Sequence, residues 1–447
     1  MTDTIAAIAT PLGRGGIGVI RVSGPDALPI VMRLINRPHL TPSRMTLVTV
    51  SDPDTGMPLD RGYVVWFKPP YSFTGESVVE LQLHGTPYGL SRLLALLGKE
   101  GARMATAGEF TKRAFLNGKL DLTQAESILT LIDAQSDRAH AVAMGHHQGK
   151  LYARIQRMRQ ALMGVLEHIE ASLDFPDEVP PIDQVTTLGL LHPLCDEMDQ
   201  VIALGNWGKW VHGGIRCVLV GKPNVGKSSL LNAISGENRA MVSAQPGTTR
   251  DYVQVTTQLN GFLVEWTDTA GIRSTDQALE ADGIERSIAQ LGSADVVLWV
   301  CDQSTPLTDE DWAVAHLIPP DKPVMVVRNK ADQRPHPHPP LPQDWPCYEV
   351  SAQTGDGIEG LMAGIVARIM HDLPANELDV LCNARQLAAL HVAREALGAL
   401  CQQLGQVPDD MVTVDLRRAI LKLGEMTGDT LSETVLDGIF SRFCIGK

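Results

Sequence analysis

Apolar residues fall into two rhythms along this chain: short uninterrupted runs, and longer stretches at helical spacing. Ile215 to Val220 is apolar and short enough for a buried strand, and Ser229 to Ile234 behind it reads as a helix start. Phe262 to Thr267 and Val324 to Val327 are further runs of strand length. Near the beginning, β-rich runs at Gly18 to Val22, Tyr63 to Phe67 and Ser77 to Leu83 accompany a helical stretch, Leu90 to Glu100, which predicts an α+β domain. From Thr123 to about Leu173, Ala, Leu, Gln and Arg recur at helical spacing with few turn residues, and the same character returns from Ala384 to the end. Turn formers at Gly213-Gly214 and at Asp372-Leu373-Pro374 interrupt the pattern, and Pro176 to Pro181 marks a turn inside the first helical half. The expected order is an α+β domain over 1–118, a first helical half over 119–212, an inserted α/β domain over 213–373 and a second helical half over 374–447.

Chemistry enters where the Ile215 run meets its helix. Gly221-Lys222-Pro223-Asn224-Val225-Gly226-Lys227-Ser228 is a complete G-x-x-x-x-G-K-S phosphate loop, with Ser229 following, in the strand-to-helix context that the motif requires. Backbone N–H groups of such a turn point at phosphate oxygens, Lys227 reaches the terminal phosphates, and the Ser228 hydroxyl ligates magnesium. Asn329-Lys330-Ala331-Asp332 ends the run Val324 to Val327, at the ligand-binding end of a parallel strand. Asp332 selects guanine, because a carboxylate accepts from two adjacent N–H donors on that base and is repelled by the ring-nitrogen lone pair of adenine. Ser351-Ala352-Gln353 completes the base pocket. Asp268-Thr269-Ala270-Gly271 closes the Phe262 run, with Asp268 near magnesium and the Gly271 N–H near the last phosphate. Gly247-Thr248-Thr249-Arg250-Asp251 supplies a switch whose second threonine, Thr249, caps the metal. These marks in order predict a Ras-like GTPase domain. Ile272 stands where many signalling GTPases carry a water-orienting glutamine, and its side chain cannot hydrogen-bond water. Glu280 is the nearest carboxylate downstream; by residue type it is either a water-positioning group or a solvated charge on a helix face.

Composition narrows the class. At 447 residues the chain has material for two to four domains. It shows no charged-then-apolar leader and no apolar run near 20 residues long, so a cytoplasmic protein that does not span a membrane is expected. Seven scattered cysteines without a C-x-x-C pair argue against a disulfide framework or a zinc site. With 38 basic and 52 acidic residues the formal charge is -14, so broad electrostatic capture of nucleic acid is disfavoured and any RNA contact must be local or shared with a partner. His336-Pro337-His338-Pro339-Pro340 is a biased loop to which no function is assigned.

Residues outside the phosphate loop carry a family likeness. At the start stand Asp3-Thr4-Ile5-Ala6-Ala7, Ala9-Thr10-Pro11 and Gly13-Arg14-Gly15-Gly16-Ile17-Gly18-Val19-Ile20-Arg21-Val22-Ser23-Gly24. In the middle runs Gly108-Glu109-Phe110-Thr111-Lys112-Arg113-Ala114-Phe115-Leu116-Asn117-Gly118-Lys119-Leu120-Asp121-Leu122, followed by Gln124-Ala125-Glu126, and at the end comes Cys444-Ile445-Gly446-Lys447. Together with the nucleotide motifs, these residues resemble the MnmE (TrmE) family of tRNA-modifying GTPases from the first positions to the last.

The resemblance implies a homodimer built through the N-terminal domain, which would bind a one-carbon tetrahydrofolate in its 5-formyl or methylene form. Arg21, Glu80 and Lys119 match the family's folate positions; read by residue type alone, each is a surface charge before it is a ligand. It implies a heteromeric complex with the flavoprotein MnmG (GidA), to which FAD and reduced nicotinamide would belong, and a joint reaction placing an aminomethyl or carboxymethylaminomethyl group on C5 of wobble uridine in tRNA. Cys444 fits that chemistry, since thiolate addition at uracil C6 makes C5 nucleophilic, and the Lys447 ammonium nearby favours thiolate. An idle tail thiol and a nucleophile supplied by the partner remain open alternatives. A potassium ion is implied as well, held by Asn224 and by oxygens within Ser243-Ala244-Gln245-Pro246-Gly247-Thr248, with Ser243, Gln245 and Thr248 as its ligands there. Paired G domains would then place that ion where an arginine finger acts elsewhere, Glu280 would orient water through an intermediary, and Arg250 and Arg273 would couple the switches to the modification site.

Three departures from the family pattern stand out. Gln353 replaces a more usual basic residue, Ala107 stands where proline is common, and the segment around the His-Pro loop is short. Two rival readings keep the same G domain: a GTP-dependent ribosome-assembly switch without covalent chemistry, and a folate enzyme whose G domain only regulates oligomerisation. An assembly factor would be expected to add a basic RNA-binding module, and this acidic chain has none evident.

Overall fold

The computed structural model describes residues 3–237, 254–268, 290–337, 345–370 and 381–447. It comprises an N-terminal α+β domain, a helical domain assembled from two stretches of chain, and a Ras-like G domain. Two compact units divide the molecule, one formed by 1–132, 145–198 and 388–447, the other by 133–144 and 199–387.

In the first unit, strands β1 (Ile5–Ile8), β2 (Gly15–Ser23), β3 (Thr46–Ser51), β4 (Pro58–Phe67), β5 (Val78–Gly85) and β6 (Arg103–Met104) form one sheet in the order β3-β4-β5-β2-β1-β6. All neighbours pair antiparallel except β1 with β6. Side chains alternate across the sheet. Ile20 and Val22 of β2 turn to one face, where Ile30, Val31 and Leu34 of helix α1 (Ala27–Leu34) and Leu90, Leu93 and Leu97 of helix α2 (Pro87–Lys99) bury them. Helix α2 starts cleanly because Thr86 Oγ1 accepts from the Gly89 N–H and Pro87 occupies the first turn. Ile5 and Ala7 of β1 pack on the other face with Ala105 and with Phe110 of helix α3 (Glu109–Leu116). Arg21, paired in register with Ala7 and with Glu80, belongs to that face.

The helices of this unit include α4 (Leu122–Asp133), all but its last residue, and α6 (Lys150–Asp174); α5 (Asp137–His147) and α7 (Gln184–Ala203) each cross a boundary between the units. Helix α6 buries Leu151, Ile155, Met158, Leu162, Val165 and Ile169, and the helix Asp409–Thr427 buries Val412, Leu416, Ala419, Leu423 and Met426. Steps of four and three residues make each a seam of coiled-coil spacing. Ion pairs Arg159–Asp429 and Arg417–Glu170 run in opposite senses along the two helices, so they lie antiparallel. Residues 175–183, which include Pro176 to Pro181, are non-helical between α6 and α7.

The second unit is built on β7 (Ile215–Val220), β8 (Gln254–Leu259), β9 (Phe262–Asp268), β10 (Val296–Asp302), β11 (Val324–Asn329) and β12 (Cys347–Glu349), in the order β12-β11-β10-β7-β9-β8. Every pair is parallel except β8 with β9. Strand β10 is buried at all seven positions, as expected of a strand covered on both faces. This unit is wider than the 213–373 read from turn formers. Trp207 and Val211 of helix α8 (Gly205–Gly213), together with Ala139, Val142 and Leu381, pack into the same core as Ile215 and Trp266. Gly213-Gly214 turns the backbone without ending the apolar packing, which a local pattern does not reveal. Among the described residues no helix is long and apolar enough to cross a membrane.

Candidate functional site

Parallel strands β7, β9, β11 and β12 present their C-terminal ends together, and each hands on to one of the nucleotide motifs. The phosphate loop runs from the end of β7 into helix α9 (Lys227–Glu237). A Cβ at Gly226, whose φ is +92, would lie 2.2 Å from Asn329 Nδ2, so the loop can approach the base-reading segment only with glycine there. Lys227 is buried, and its ammonium donates to the carbonyls of Gly221 at 2.7 Å and Lys222 at 2.9 Å. Burial pushes its pKa below the ordinary value, with the Asp268 charge acting against that shift. Ser228 Oγ donates to Asp268 Oδ2 at 2.6 Å, so the two oxygens expected beside magnesium stand together.

At the base-reading end, buried Asn329 donates from Nδ2 to the Val225 carbonyl at 2.9 Å, and its Oδ1 accepts from the Ala352 N–H at 3.0 Å. One amide thereby ties the phosphate loop to the loop after β12. Asp332 is exposed, with Oδ1 accepting from Ser351 Oγ at 2.6 Å, which leaves its other oxygen open towards solvent. Lys330 takes a positive φ of 67 and pairs with Asp302 Oδ2 at 2.6 Å. Burial alone would raise the Asp302 pKa, but the bonds from Lys330 and Ser304 outweigh it and hold the carboxyl below its usual range. The Ala331 N–H donates to the Val350 carbonyl at 3.0 Å, while Gln353 is exposed.

Two supporting residues escape the motif reading. Lys222 Nζ donates at 2.8 Å to buried Asp311 Oδ2, whose residue also completes the capping box of the helix Asp309–His316 begun by Thr308. The Thr-x-x-Asp spacing was the available signal for Asp311; Asp302 had none, because its pairing with Lys330 is set by strand register. Among the described residues no cluster of three or more His, Cys, Asp or Glu side chains could hold a metal. Ser243, Ala244, Gln245, Pro246, Gly247, Thr248, Thr249, Arg250 and Asp251 of the first switch lie outside the described residues, as do Thr269, Ala270, Gly271, Ile272, Arg273 and Glu280.

A second constellation occupies the N-terminal domain. Arg21 Nε donates to Glu80 Oε1 at 2.9 Å, and the Arg21 guanidinium lies 5.2 Å from the centre of the Phe73 ring and 5.7 Å from that of Phe110. Lys119 is not part of this pair; its ammonium donates to the Pro70 carbonyl at 3.1 Å, on the segment that leads to Phe73. Beside them, charged side chains gather around buried Arg113 and Glu109. Arg113, 1% exposed, binds Asp3 Oδ1 at 2.8 Å, Glu109 Oε1 at 3.0 Å and Glu76 Oε2 at 3.2 Å. Arg103 adds a bond to Glu109 Oε1 at 2.6 Å.

The C-terminal residues reach this same domain. The Cys444 carbonyl accepts from the Gly108 N–H at 3.3 Å, and Ile445 bridges Ala107 in antiparallel fashion. The Cys444 side chain is exposed, and the Lys447 N–H closes back on the Cys444 carbonyl at 3.3 Å.

Comparison with known proteins covers both ends and the middle. Residues 4–119 match the family model of the GTP-binding protein TrmE N-terminus, and residues 122–444 that of the MnmE helical domain. A tRNA modification GTPase MnmE of Geotalea uraniireducens is 41% identical over 454 residues, covering 100% of this chain and 99% of the relative. Those of Moorella thermoacetica and Aquifex aeolicus are 40% and 37% identical, each over 100% of both chains. A solved structure of Era with MgGDPNP and nucleotides 1506-1542 of 16S ribosomal RNA is 28% identical over 40% of this chain and 66% of that one, at a TM-score of 0.29. With its nucleotide motifs at the strand ends and relatives matching along its whole length, the chain belongs to the MnmE (TrmE) family of tRNA modification GTPases.

Proposed function

We propose that this chain hydrolyses GTP with magnesium and potassium and works with the flavoprotein MnmG (GidA) on tRNA. The product would be an aminomethyl or carboxymethylaminomethyl group on C5 of wobble uridine, its carbon drawn from a 5-formyl or methylene tetrahydrofolate. The observation that carries this reading is the exposed Cys444 thiol at the end of a tail paired by backbone to the Ala107-Gly108 segment.

The donor sets fit the groups this reading requires. Ser228 and Asp268 offer adjacent hard oxygens, the kind magnesium takes with phosphate. The Arg21–Glu80 pair beside Phe73 and Phe110 offers a carboxylate for a pterin edge, a guanidinium for a carboxylate and aromatic faces for stacking. When bound, magnesium supplies charge neutralisation at the phosphates, potassium a further positive charge beside them, and the folate the one-carbon unit. Lys227 binds terminal phosphate, Asn329 and Asp332 orient the guanine, and Glu280 orients water through an intermediary. The Cys444 thiolate would add to C6 of the uracil, breaking the C5=C6 π bond to give an enolate nucleophilic at C5; once C5 has gained its substituent, loss of the C5 proton expels the thiolate and restores the ring. Turnover in paired G domains of a homodimer drives rearrangement at the modification centre.

Mass spectrometry of tRNA nucleosides from cells lacking this gene, then carrying it again, tests the reading. Loss and recovery of a C5-substituted wobble uridine is the expected result. An unchanged profile would remove the uridine chemistry and leave a GTP-dependent switch in ribosome assembly as the next reading to test.

A further inference from the structure

The C-terminal tetrapeptide ends in a backbone shape that favours one residue type. Gly446 has a φ of +95, and a Cβ there would lie 2.3 Å from the Ile8 carbonyl oxygen and 3.1 Å from Ala9 Cα. Both are backbone atoms, at the end of β1 and just beyond it, and cannot swing aside as a side-chain tip could. Across the tail, the Ile445 bridge to Ala107 and the bond from the Gly108 N–H to the Cys444 carbonyl hold the preceding residues. Gly108 has a φ of +65, and a Cβ on it would come within 2.4 Å of the Phe440 carbonyl oxygen.

The surface receiving the tail is itself well held. Glu109 Oε2 accepts from the Thr106 N–H at 2.8 Å and from the Thr106 hydroxyl at 3.1 Å, and Arg103 and Arg113 hold Glu109 in turn. Lys112 pairs with Asp437 of the helix Glu433–Phe440, which leads into the tail. Backbone is thus seated on both sides of Cys444 while its thiol stays exposed.

We propose that Gly446 is a positioning residue for uridine modification: it lets the chain turn against Ile8 and Ala9 and so keeps the Cys444 thiol at a fixed place on the N-terminal domain. The inference rests on the role given to Cys444 above and adds the device that places it. Alanine or valine at this position forces the tail off its seat, which opens the Gly108 N–H bond and releases the thiol without touching the nucleotide site.

The test uses the full-length protein with Gly446→Ala, Gly446→Val and, as control, Gly438→Ala, an exposed position where a new methyl meets nothing within 4 Å. Amide hydrogen exchange at Gly108 reports the seating from a residue remote in sequence from the substitution. C5-modified wobble uridine is measured in cells carrying each variant. Expected for both Gly446 variants are exchange at Gly108 at least about ten-fold faster and modification reduced by a similar factor, with GTP hydrolysis and melting temperature as in wild type. Gly438→Ala should match wild type throughout. Unchanged exchange at Gly108 in Gly446→Val overturns the proposal, and so does faster exchange with wild-type modification. Cys444→Ser, run alongside, separates the two claims. If it modifies tRNA normally, the thiol's role falls and the positioning role with it; if it alone is inactive while Gly446→Val is active, only the positioning role falls.

Discussion

Glu109 is an acid whose burial and charge partners oppose one another. Desolvation would raise its pKa, but hydrogen bonds from Arg103, the Thr106 backbone and Arg113 outweigh it and draw the value from 4.5 to about 2. A folded-state value below the unfolded one means the stabilisation is fully present above about pH 4.5 and lost as pH falls towards 2. Glu109→Gln should therefore cost roughly 3 kcal/mol at neutral pH, with the gap to wild type closing in acid. Urea midpoints from pH 7 down to 3 would show it, and a gap independent of pH would contradict the assignment. Asp332 carries a different prediction, because its carboxylate faces outward with one oxygen held by Ser351. Replacing it with asparagine puts an N–H where guanine presents donors, so GTP affinity should fall about 10- to 100-fold. Calorimetric titration giving an unchanged Kd would take Asp332 out of the base pocket.

Between elements, close backbone approaches do work that residue-type motifs do not display. The phosphate loop and the segment after β11 are joined through Asn329, and the joint exists because Gly226 has no side chain to fill the space. Gly226→Ala should weaken GTP binding at least about ten-fold through loss of that joint, with far-ultraviolet circular dichroism unchanged. Wild-type affinity in this variant would show that the loop reaches its working shape without Asn329. The seam between α6 and the helix Asp409–Thr427 is a matter of volume instead. Leu162 is fully buried there, and its truncation to alanine should cost about 2–5 kcal/mol in denaturant unfolding, whereas Met163→Ala, on the exposed side, should cost far less. Equal costs at the two positions would mean the seam is not the stabilising contact.

Over the whole molecule, the chemistry of each of the two units is tied to one chain. The nucleotide motifs belong to the G domain, while Arg21, Glu80 and Cys444 belong to the N-terminal domain and the tail paired with it. A GTPase with Ile272 in place of a glutamine lacks that amide's hold on the attacking water, and this chain's motifs show no arginine finger either. The potassium assignment, on Asn224 and the Ser243 to Thr248 segment, predicts faster GTP hydrolysis in potassium than in sodium at equal ionic strength. Equal rates in the two salts would eliminate it.

Motifs read from the chain depended on local chemistry, so they were legible without a structure. The phosphate loop, Asp268 and Asn329-Lys330-Ala331-Asp332 are contiguous and their residue types carry their meaning, whereas the C-terminal tetrapeptide takes its meaning only from the family resemblance. Runs such as Ile215 to Val220 coincided with a strand because burial on both faces demands an unbroken apolar stretch. The equally apolar Val296–Asp302, the fully buried β10, carries the same signal, with no nucleotide motif adjoining it to mark its place. Nothing local showed that Trp207 packs with the G sheet, that Arg113 gathers Asp3, Glu76 and Glu109, or that Gly446 turns against Ile8. Those contacts join residues up to hundreds of positions apart. Sequence spacing constrains neighbours within a few residues through strand and helix periodicity, whereas contacts between distant segments exist only once sheets, helices and tail have packed.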